Sequence, residues 1–77
     1  MKTEREMLDK IKWDEKEDKS AYIIAYKDKD VLKEIKFTDI KRVEDEFMII
    51  DINGRETNIP LHRIKMIKKN GEIIWQR

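Results

Sequence analysis

The sequence predicts a small α+β domain, in which an N-terminal helix is followed by a strongly bent antiparallel sheet or small barrel of about six or seven short strands. Three observations support this fold class. A helix-capping pattern stands near the start of the chain, apolar residues alternate along most of the rest, and two Asn-Gly pairs separate apolar runs. A chain of 77 residues has room for a single domain, covering residues 1–77.

The first predicted element is a helix over about residues 4–12. Thr3 and Glu6 have the spacing of a capping box, in which the hydroxyl and the carboxylate each satisfy a backbone N–H of the first turn. The apolar residues that follow fall on one face, so we expect this helix to cover one face or one open end of the sheet. The highly charged segment from Asp14 to Ser20 is predicted to be a loop.

The strands are predicted from alternating patterns and from turn signals. The first strand is rich in aromatic and β-branched residues and places Tyr22, Ile24 and Tyr26 on one face. Asn53-Gly54 and Asn70-Gly71 favour type I′ hairpins, because both residue types tolerate positive φ. The predicted strands span about residues 21–27, 31–37, 40–44, 46–52, 56–61, 64–69 and 72–76.

An internal repeat organises these strands. The ten residues that begin at Ile35 align with the ten that begin at Ile59, and the apolar positions coincide at Ile35/Ile59, Phe37/Leu61, Ile40/Ile64 and Val43/Ile67. Each copy then runs into an acidic residue and an apolar strand. The repeating unit is therefore predicted to be strand, short corner, strand, turn, strand. Pro60, which lacks an N–H, marks the corner before His62 as irregular.

Composition indicates an intracellular, cytoplasmic protein. The chain has no cysteine, so it offers neither a disulfide framework nor a thiolate metal site, and it has no apolar run of the length that a membrane requires. A single histidine and scattered carboxylates show no metal-ligand spacing, so no metal is expected. The charged fraction of 45% is typical of proteins that use surface ion-pair networks at high temperature.

Charge is distributed unevenly along the chain. The formal net charge is only +1, but residues 55–77 contain six basic and two acidic side chains, a net charge of +4. This excess permits an anionic ligand near the C-terminal end of the chain. The alternative is an ordinary solvated basic face.

The most informative local signal is His62 followed by Arg63. A guanidinium group can hold a phosphate through two parallel hydrogen bonds, and strand geometry leaves the imidazole accessible. The alternative is a histidine that caps or bonds the corner. Acid–base cleavage of RNA commonly uses two proton-transfer groups, and the chain has one histidine and no cysteine. It also has no phosphate loop, nucleophile elbow or zinc-binding helix. Neither an enzyme nor a cofactor is therefore expected.

Aromatic side chains offer a surface for bases. Trp13, Tyr22, Tyr26 and Trp75 have flat rings on which single-stranded RNA can stack. In a core this small each ring can equally be structural. The sequence leaves both roles open.

The chain resembles a family of small, mainly archaeal proteins described as the RNA cyclic-group end recognition domain. The resemblance is carried by the Ile59 to Ile64 hexapeptide, by Trp13-Asp14 and by the terminal Ile-Ile-Trp-Gln-Arg, and it spans nearly the whole chain. It implies a stand-alone version of a module that is elsewhere fused to RNA ligase-like or phosphoesterase-like domains. The role proposed for that module is recognition of 2′,3′-cyclic phosphate RNA ends.

Carried onto matching positions, the resemblance implies a set of ligand-binding residues: Trp13, Asp14, Tyr26, His62, Arg63, Trp75 and Arg77. Two departures concern the details of the pocket. Lys29-Asp30 replaces an expected Arg-Gly after the first strand, and Gln76 stands where an acidic residue is common.

These observations lead to a hypothesis of an RNA-binding module that recognises RNA termini in RNA processing or repair. In it, Arg63 and Arg77 hold phosphate, His62 donates a hydrogen bond, and Trp75 or Tyr26 stacks on the terminal base. The hypothesis requires the His62 corner and the chain end to form one basic hollow. The alternatives are a protein interaction module or subunit of an RNA-processing complex without direct RNA contact, and a cyclic phosphodiesterase that uses His62.

Overall fold

The computed structural model describes residues 3–16 and 18–77, which form one α-helix and seven strands. The helix α1 spans Glu4–Trp13, and the strands are β1 (Tyr22–Asp28), β2 (Val31–Lys36), β3 (Ile40–Glu44), β4 (Phe47–Ile52), β5 (Arg55–Pro60), β6 (Ile64–Lys69) and β7 (Glu72–Gln76). Three short 3₁₀ segments connect them: Lys19–Ala21, Phe37–Asp39 and Leu61–Arg63. Within the described ranges, no helix has both the length and the apolar character needed to span a bilayer.

The helix begins where the capping pattern predicts. The Thr3 hydroxyl accepts a hydrogen bond from the backbone N–H of Glu6 at 3.2 Å, and it lies 3.3 Å from the Glu6 carboxylate, to which it donates. Met7, Leu8 and Ile11 are buried, as the single apolar stripe predicts. The helix therefore docks on the core by one face.

The strands form two antiparallel sheets. The four-stranded sheet has the order β2-β1-β6-β7, and the three-stranded sheet has the order β3-β4-β5. The predicted α+β class, with a helix followed by short antiparallel strands, is confirmed. Of the two arrangements predicted for the strands, the closed barrel does not form, because the chain passes from one sheet to the other at two corners.

The repeat explains these corners. The first corner (Phe37–Asp39) carries the chain from β2 to β3, and the second corner (Leu61–Arg63) carries it from β5 to β6. Both are single turns of 3₁₀ helix. The second agrees with the irregular corner predicted before His62. The four apolar residues of the second copy are buried, whereas their partners in the first copy are half-buried against the same core.

The two predicted hairpin turns are confirmed. Asn53 and Gly54 have φ values of 53° and 82°, and Asn70 and Gly71 have values of 51° and 83°. Positive φ at both central residues is the requirement of a type I′ turn. All four residues are exposed, so the turns lie outside the core.

Candidate anion-binding site

A basic hollow lies where the second corner meets the end of β1. It has a volume of about 310 Å³. Its walls are one imidazole and four cationic side chains: Lys27, Lys29, His62, Arg63 and Lys65. We call this site the basic hollow.

The second corner presents two polar side chains to this hollow because the residues that flank them in the chain are buried. Leu61 and Ile64 are 6% and 0% exposed, and the Leu61 N–H donates to the Glu46 carbonyl at 2.8 Å. The two residues between them, His62 and Arg63, are exposed. A short 3₁₀ turn held at both ends by the core therefore displays the imidazole and the guanidinium side by side.

The other walls come from β1, its hairpin turn and β6. Lys27 ends the regular part of β1, and Lys29 follows in the turn with a φ of 57°. The β1–β6 register shifts after Ala25, so Lys65 is an extra residue in the ladder. Bulges of this kind re-aim side chains, and this one lets Lys65 line the hollow.

The charge of the hollow is uncompensated by its own walls, since no carboxylate is among them in the described chain. The nearby Asp28 carboxylate binds Lys33 at 2.9 Å instead. Its pKa is lowered, chiefly by the hydrogen bond and charge of Lys33, with smaller contributions from Lys29 and Arg63. Asp28 thus stays ionised beside the hollow, but it is engaged by a lysine outside the hollow.

Arg77 lies on the other side of His62. Its Nη1 atom is 2.8 Å from Glu4 Oε1 and donates to the His62 carbonyl at 2.7 Å. Arg77 is not among the residues that line the basic hollow, but it lines a neighbouring depression of about 320 Å³ together with His62 and the acidic residues Glu4, Asp45 and Glu46. The two arginines of the hypothesis therefore lie on opposite sides of His62. The physical reason is that the Glu4 carboxylate, at the start of α1, attracts the guanidinium and ties the chain end to the helix.

Tyr26 and Trp75 belong to the core. They are 5% and 7% exposed, within the same apolar cluster as Ile24 and Ile67. Rings buried in this way expose little surface to a base, and the stacking predicted for Trp75 or Tyr26 stays a prediction. Their structural role, which the sequence left open, is the one that the geometry favours.

Trp13 and Asp14 lie at the far end of the helix. Trp13 is 75% exposed, with Lys12 Nζ 5.5 Å from its ring centroid, and Asp14 accepts a hydrogen bond from the Lys16 N–H at 3.1 Å. Arg77 ties the other end of α1 to the second corner. Trp13 lies nine positions after Glu4 along the helix, a rise of about 13 Å. These two residues are therefore placed apart from the basic hollow.

Sequence reasoning missed three walls of the hollow, Lys27, Lys29 and Lys65. The chain has many lysines, and nothing local distinguishes these three. The repeat marks the second corner but does not show which strands lie beside it. The three lysines meet that corner through the β1–β6 pairing and its bulge.

A second depression runs between α1 and the first corner. It has a volume of about 210 Å³ and an apolar floor that includes Leu8, Phe37 and Ile40. Two of its cations, Lys41 and Arg42, already pair with the carboxylates Glu44, Asp51 and Glu56. Because these two of its five cations are ion-paired and the Asp9 carboxylate is itself part of its lining, it is a weaker candidate for an anion than the basic hollow.

Comparison with known proteins agrees with the resemblance seen in the sequence. A family model described as the MJ1316 RNA cyclic group end recognition domain matches residues 1–77. The chain belongs to this family. No solved structure matches this RNA cyclic group end recognition domain.

The curated relatives of this end recognition domain are archaeal proteins named only as UPF0248 proteins. One from Saccharolobus solfataricus is 37% identical over 78 residues, covering 95% of the chain and 94% of the relative. One from Saccharolobus islandicus is 31% identical, covering 95% of the chain and 96% of the relative. A third, from Metallosphaera sedula, is 29% identical over 75 residues, covering 97% of the chain and 92% of the relative.

Proposed function

We propose that this domain binds RNA ends that carry a 2′,3′-cyclic phosphate, and that the phosphate sits in the basic hollow. The observation that carries the proposal is the composition of the hollow, an imidazole and four cations with no carboxylate among its described walls. The family description supplies the class of ligand, since it refers to RNA cyclic group ends. A role in RNA processing or repair follows from that class.

Arg63 and His62 have distinct tasks in this proposal. The guanidinium of Arg63 grips two phosphate oxygens through parallel hydrogen bonds, a geometry that fixes orientation as well as charge. The imidazole of His62 donates to a third oxygen of the ring or ribose. Lys27, Lys29 and Lys65 contribute a positive field that attracts the strand before contact.

Shape must provide the preference for a cyclic end. A linear terminal phosphate carries about −1.5 to −2 charges at neutral pH, whereas a cyclic phosphodiester carries one. Charge alone would therefore favour the linear end in so basic a hollow. Discrimination in favour of the cyclic end requires that the paired donors of His62 and Arg63 match the ring more closely than they match a free phosphate.

The proposal is one of binding without turnover. Acid–base opening of a cyclic phosphate commonly uses two positioned proton-transfer groups, and the described lining of the hollow offers one imidazole and no carboxylate. We expect the cyclic end to remain intact during prolonged incubation with the protein. Turnover that disappears in His62→Ala would instead assign a cyclic phosphodiesterase.

The direct test measures the affinity of the protein for one RNA hexamer prepared with three different 3′ ends. Fluorescence anisotropy with a 5′ label gives the dissociation constants for the cyclic phosphate, the linear 3′-phosphate and the free hydroxyl. We expect the cyclic end to bind most tightly. Arg63→Gln should remove this preference and weaken the cyclic complex about tenfold, the effect of losing a charge-assisted bidentate contact.

Arg55→Gln is the matched control, because Arg55 is an exposed arginine at the tip of the β4–β5 hairpin in the other sheet. It changes the net charge equally and should leave the end preference intact. Equal affinity for all three ends would eliminate specific end recognition. Absence of binding to any of them would favour the alternative of a protein interaction module without direct RNA contact.

A further inference from the structure

The four-stranded sheet has one face that packs on the core and another that points away from it. The face that points away adjoins the basic hollow at one end. Tyr22, Ile24 and Tyr26 of β1 point into the core, so Ile23 and Lys27 point the opposite way. Lys27 is itself a wall of the hollow. We call this surface, on the side of Ile23 and Lys27, the outer sheet face.

Lysines stand at both ends of the outer sheet face. The register places Lys36 of β2 and Lys68 of β6 on either side of Ile23. At the other end, Lys27 and Lys65 line the hollow. Four strand residues separate Ile23 from Lys27, which corresponds to about 13 Å along the sheet.

The positive charge of this face is mostly unpaired. Among the described strands, Glu34 is the one carboxylate that the register directs to this side, and it binds Lys68 Nζ at 2.8 Å. Lys27, Lys36 and Lys65 form no ion pair with any described residue. The face therefore keeps a net positive charge that continues directly from the hollow.

The outer side of the three-stranded sheet provides an internal comparison. Its two cations, Lys41 and Arg42, are bound to three carboxylates: Glu44, Asp51 and Glu56. The pKa of Glu56 is lowered by hydrogen bonds from Arg42 and Lys41, as expected for a compact ion-pair network. The outer side of the three-stranded sheet is thus neutralised by ion pairs, whereas Lys27, Lys36 and Lys65 of the other sheet form none with any described residue.

Apolar side chains lie between the lysines. Ile23 and Met66 are half-buried on the outer sheet face, and Met66 is the cross-strand partner of Ala25. In one class of RNA-binding domain, aromatic side chains on the exposed face of a four-stranded sheet stack on two or three bases. Here the base contact would be aliphatic and thioether in character, since the described aromatic residues of this sheet point into the core.

We infer that the outer sheet face binds the two or three unpaired nucleotides that precede the RNA end. The preferred ligand is then single-stranded RNA with its end in the basic hollow, and a mononucleotide or a base-paired end binds less tightly. The lysines contact the phosphates of those nucleotides, and Ile23 and Met66 contact their bases. This inference rests on the proposed function and specifies its substrate.

The test compares a dinucleotide and a single-stranded hexamer that carry the same cyclic phosphate, with wild-type protein and two variants. Lys36→Gln removes a charge at the distal end of the outer sheet face, and Lys10→Gln removes one from the exposed side of α1. We expect the hexamer to bind more tightly than the dinucleotide. Lys36→Gln should weaken only the hexamer and reduce its salt slope by about 0.7, the value for one single-strand phosphate contact. Lys10→Gln should change neither.

The outcomes separate the two claims. If dinucleotide and hexamer bind equally, or if Lys36→Gln behaves like Lys10→Gln, the outer sheet face is not the path of the strand, although a cyclic-end preference would still support the hollow. If the preference for a cyclic end is absent at both lengths, the proposed function itself fails. A hairpin RNA that presents the same cyclic end on a paired stem should bind less tightly than the hexamer, and equal or tighter binding would overturn the inference.

Discussion

Residues 62 and 63 carry the proposed recognition, and their neighbours hold them in place. Leu61 and Ile64 are buried on either side, so the corner cannot turn its polar side chains inward without exposing the core. Burial of side chains of this size is worth roughly 1.5–3 kcal/mol each. The orientation of the imidazole and the guanidinium is therefore fixed by apolar packing and not by polar contacts of their own.

Arg77 has a structural role that its position in the family motif does not reveal. It joins the start of α1 to the second corner through the Glu4 carboxylate and the His62 carbonyl. Arg77→Gln should therefore lower the free energy of unfolding by about 1 kcal/mol, the combined effect of a partly exposed ion pair and a charged hydrogen bond. Urea denaturation of the two proteins measures this difference.

The same variant should keep the preference for a cyclic RNA end, because its guanidinium lies outside the basic hollow. Anisotropy titrations under conditions where both proteins are folded provide the check. A loss of end preference as large as that of Arg63→Gln, with unchanged stability, would show that Arg77 contacts the ligand.

At the scale of elements, the repeat makes one corner a natural control for the other. The first corner has Thr38 and Asp39 at the positions where the second has His62 and Arg63, on the same 3₁₀ geometry. The fold thus accommodates both pairs of side chains at equivalent places. Only the second pair contains a guanidinium group and lies beside Lys27 of β1 and Lys65 of β6.

Transferring the side chains of the first corner to the second should remove function without harming the fold. The double variant His62→Thr/Arg63→Asp places residues that this turn already tolerates, so we expect the free energy of unfolding to change by less than about 0.5 kcal/mol. Binding of a cyclic-end hexamer should fall below detection, because a carboxylate replaces the phosphate-binding guanidinium. A stable variant with unchanged affinity would contradict the proposed site.

The elements themselves were largely predictable from local chemistry. Thr3 and Glu6 define the helix start, and the two Asn-Gly pairs define hairpins, because each signal acts within a few residues. The repeat predicted both corners, because the apolar pattern of each copy also lies within a few residues of its corner. The division into two sheets was not predicted, since it depends on which strands pair across long stretches of chain, and alternation reveals a strand's faces without revealing its partners.

At the scale of the whole molecule, the site was only half predictable. His62 and Arg63 are adjacent in sequence, so any outward-facing corner brings them together. Lys27 and Lys65 join them only through the β1–β6 pairing and its bulge, which no local pattern encodes. Tyr26 and Trp75 are buried because a chain of this size needs its large rings to fill the core.

The two sheets differ in how the charges on their surfaces are paired. One covers the core and neutralises its own surface through the pairs of Lys41 and Arg42 with three carboxylates. The other bears the basic hollow and a lysine-rich outer face. This polarity explains how a chain with a formal net charge of +1 can present a strongly basic surface.

The most direct test of the account is an NMR titration of ¹⁵N-labelled protein with the cyclic-end hexamer, which reports on every site at once. We expect the largest shifts at the Arg63 Nε–Hε group and at the amides of the second corner, Lys27 and Lys65, with smaller shifts for the hydroxyl-ended RNA. Largest shifts around Trp13 and the depression beside the first corner, or identical responses to both RNAs, would contradict it.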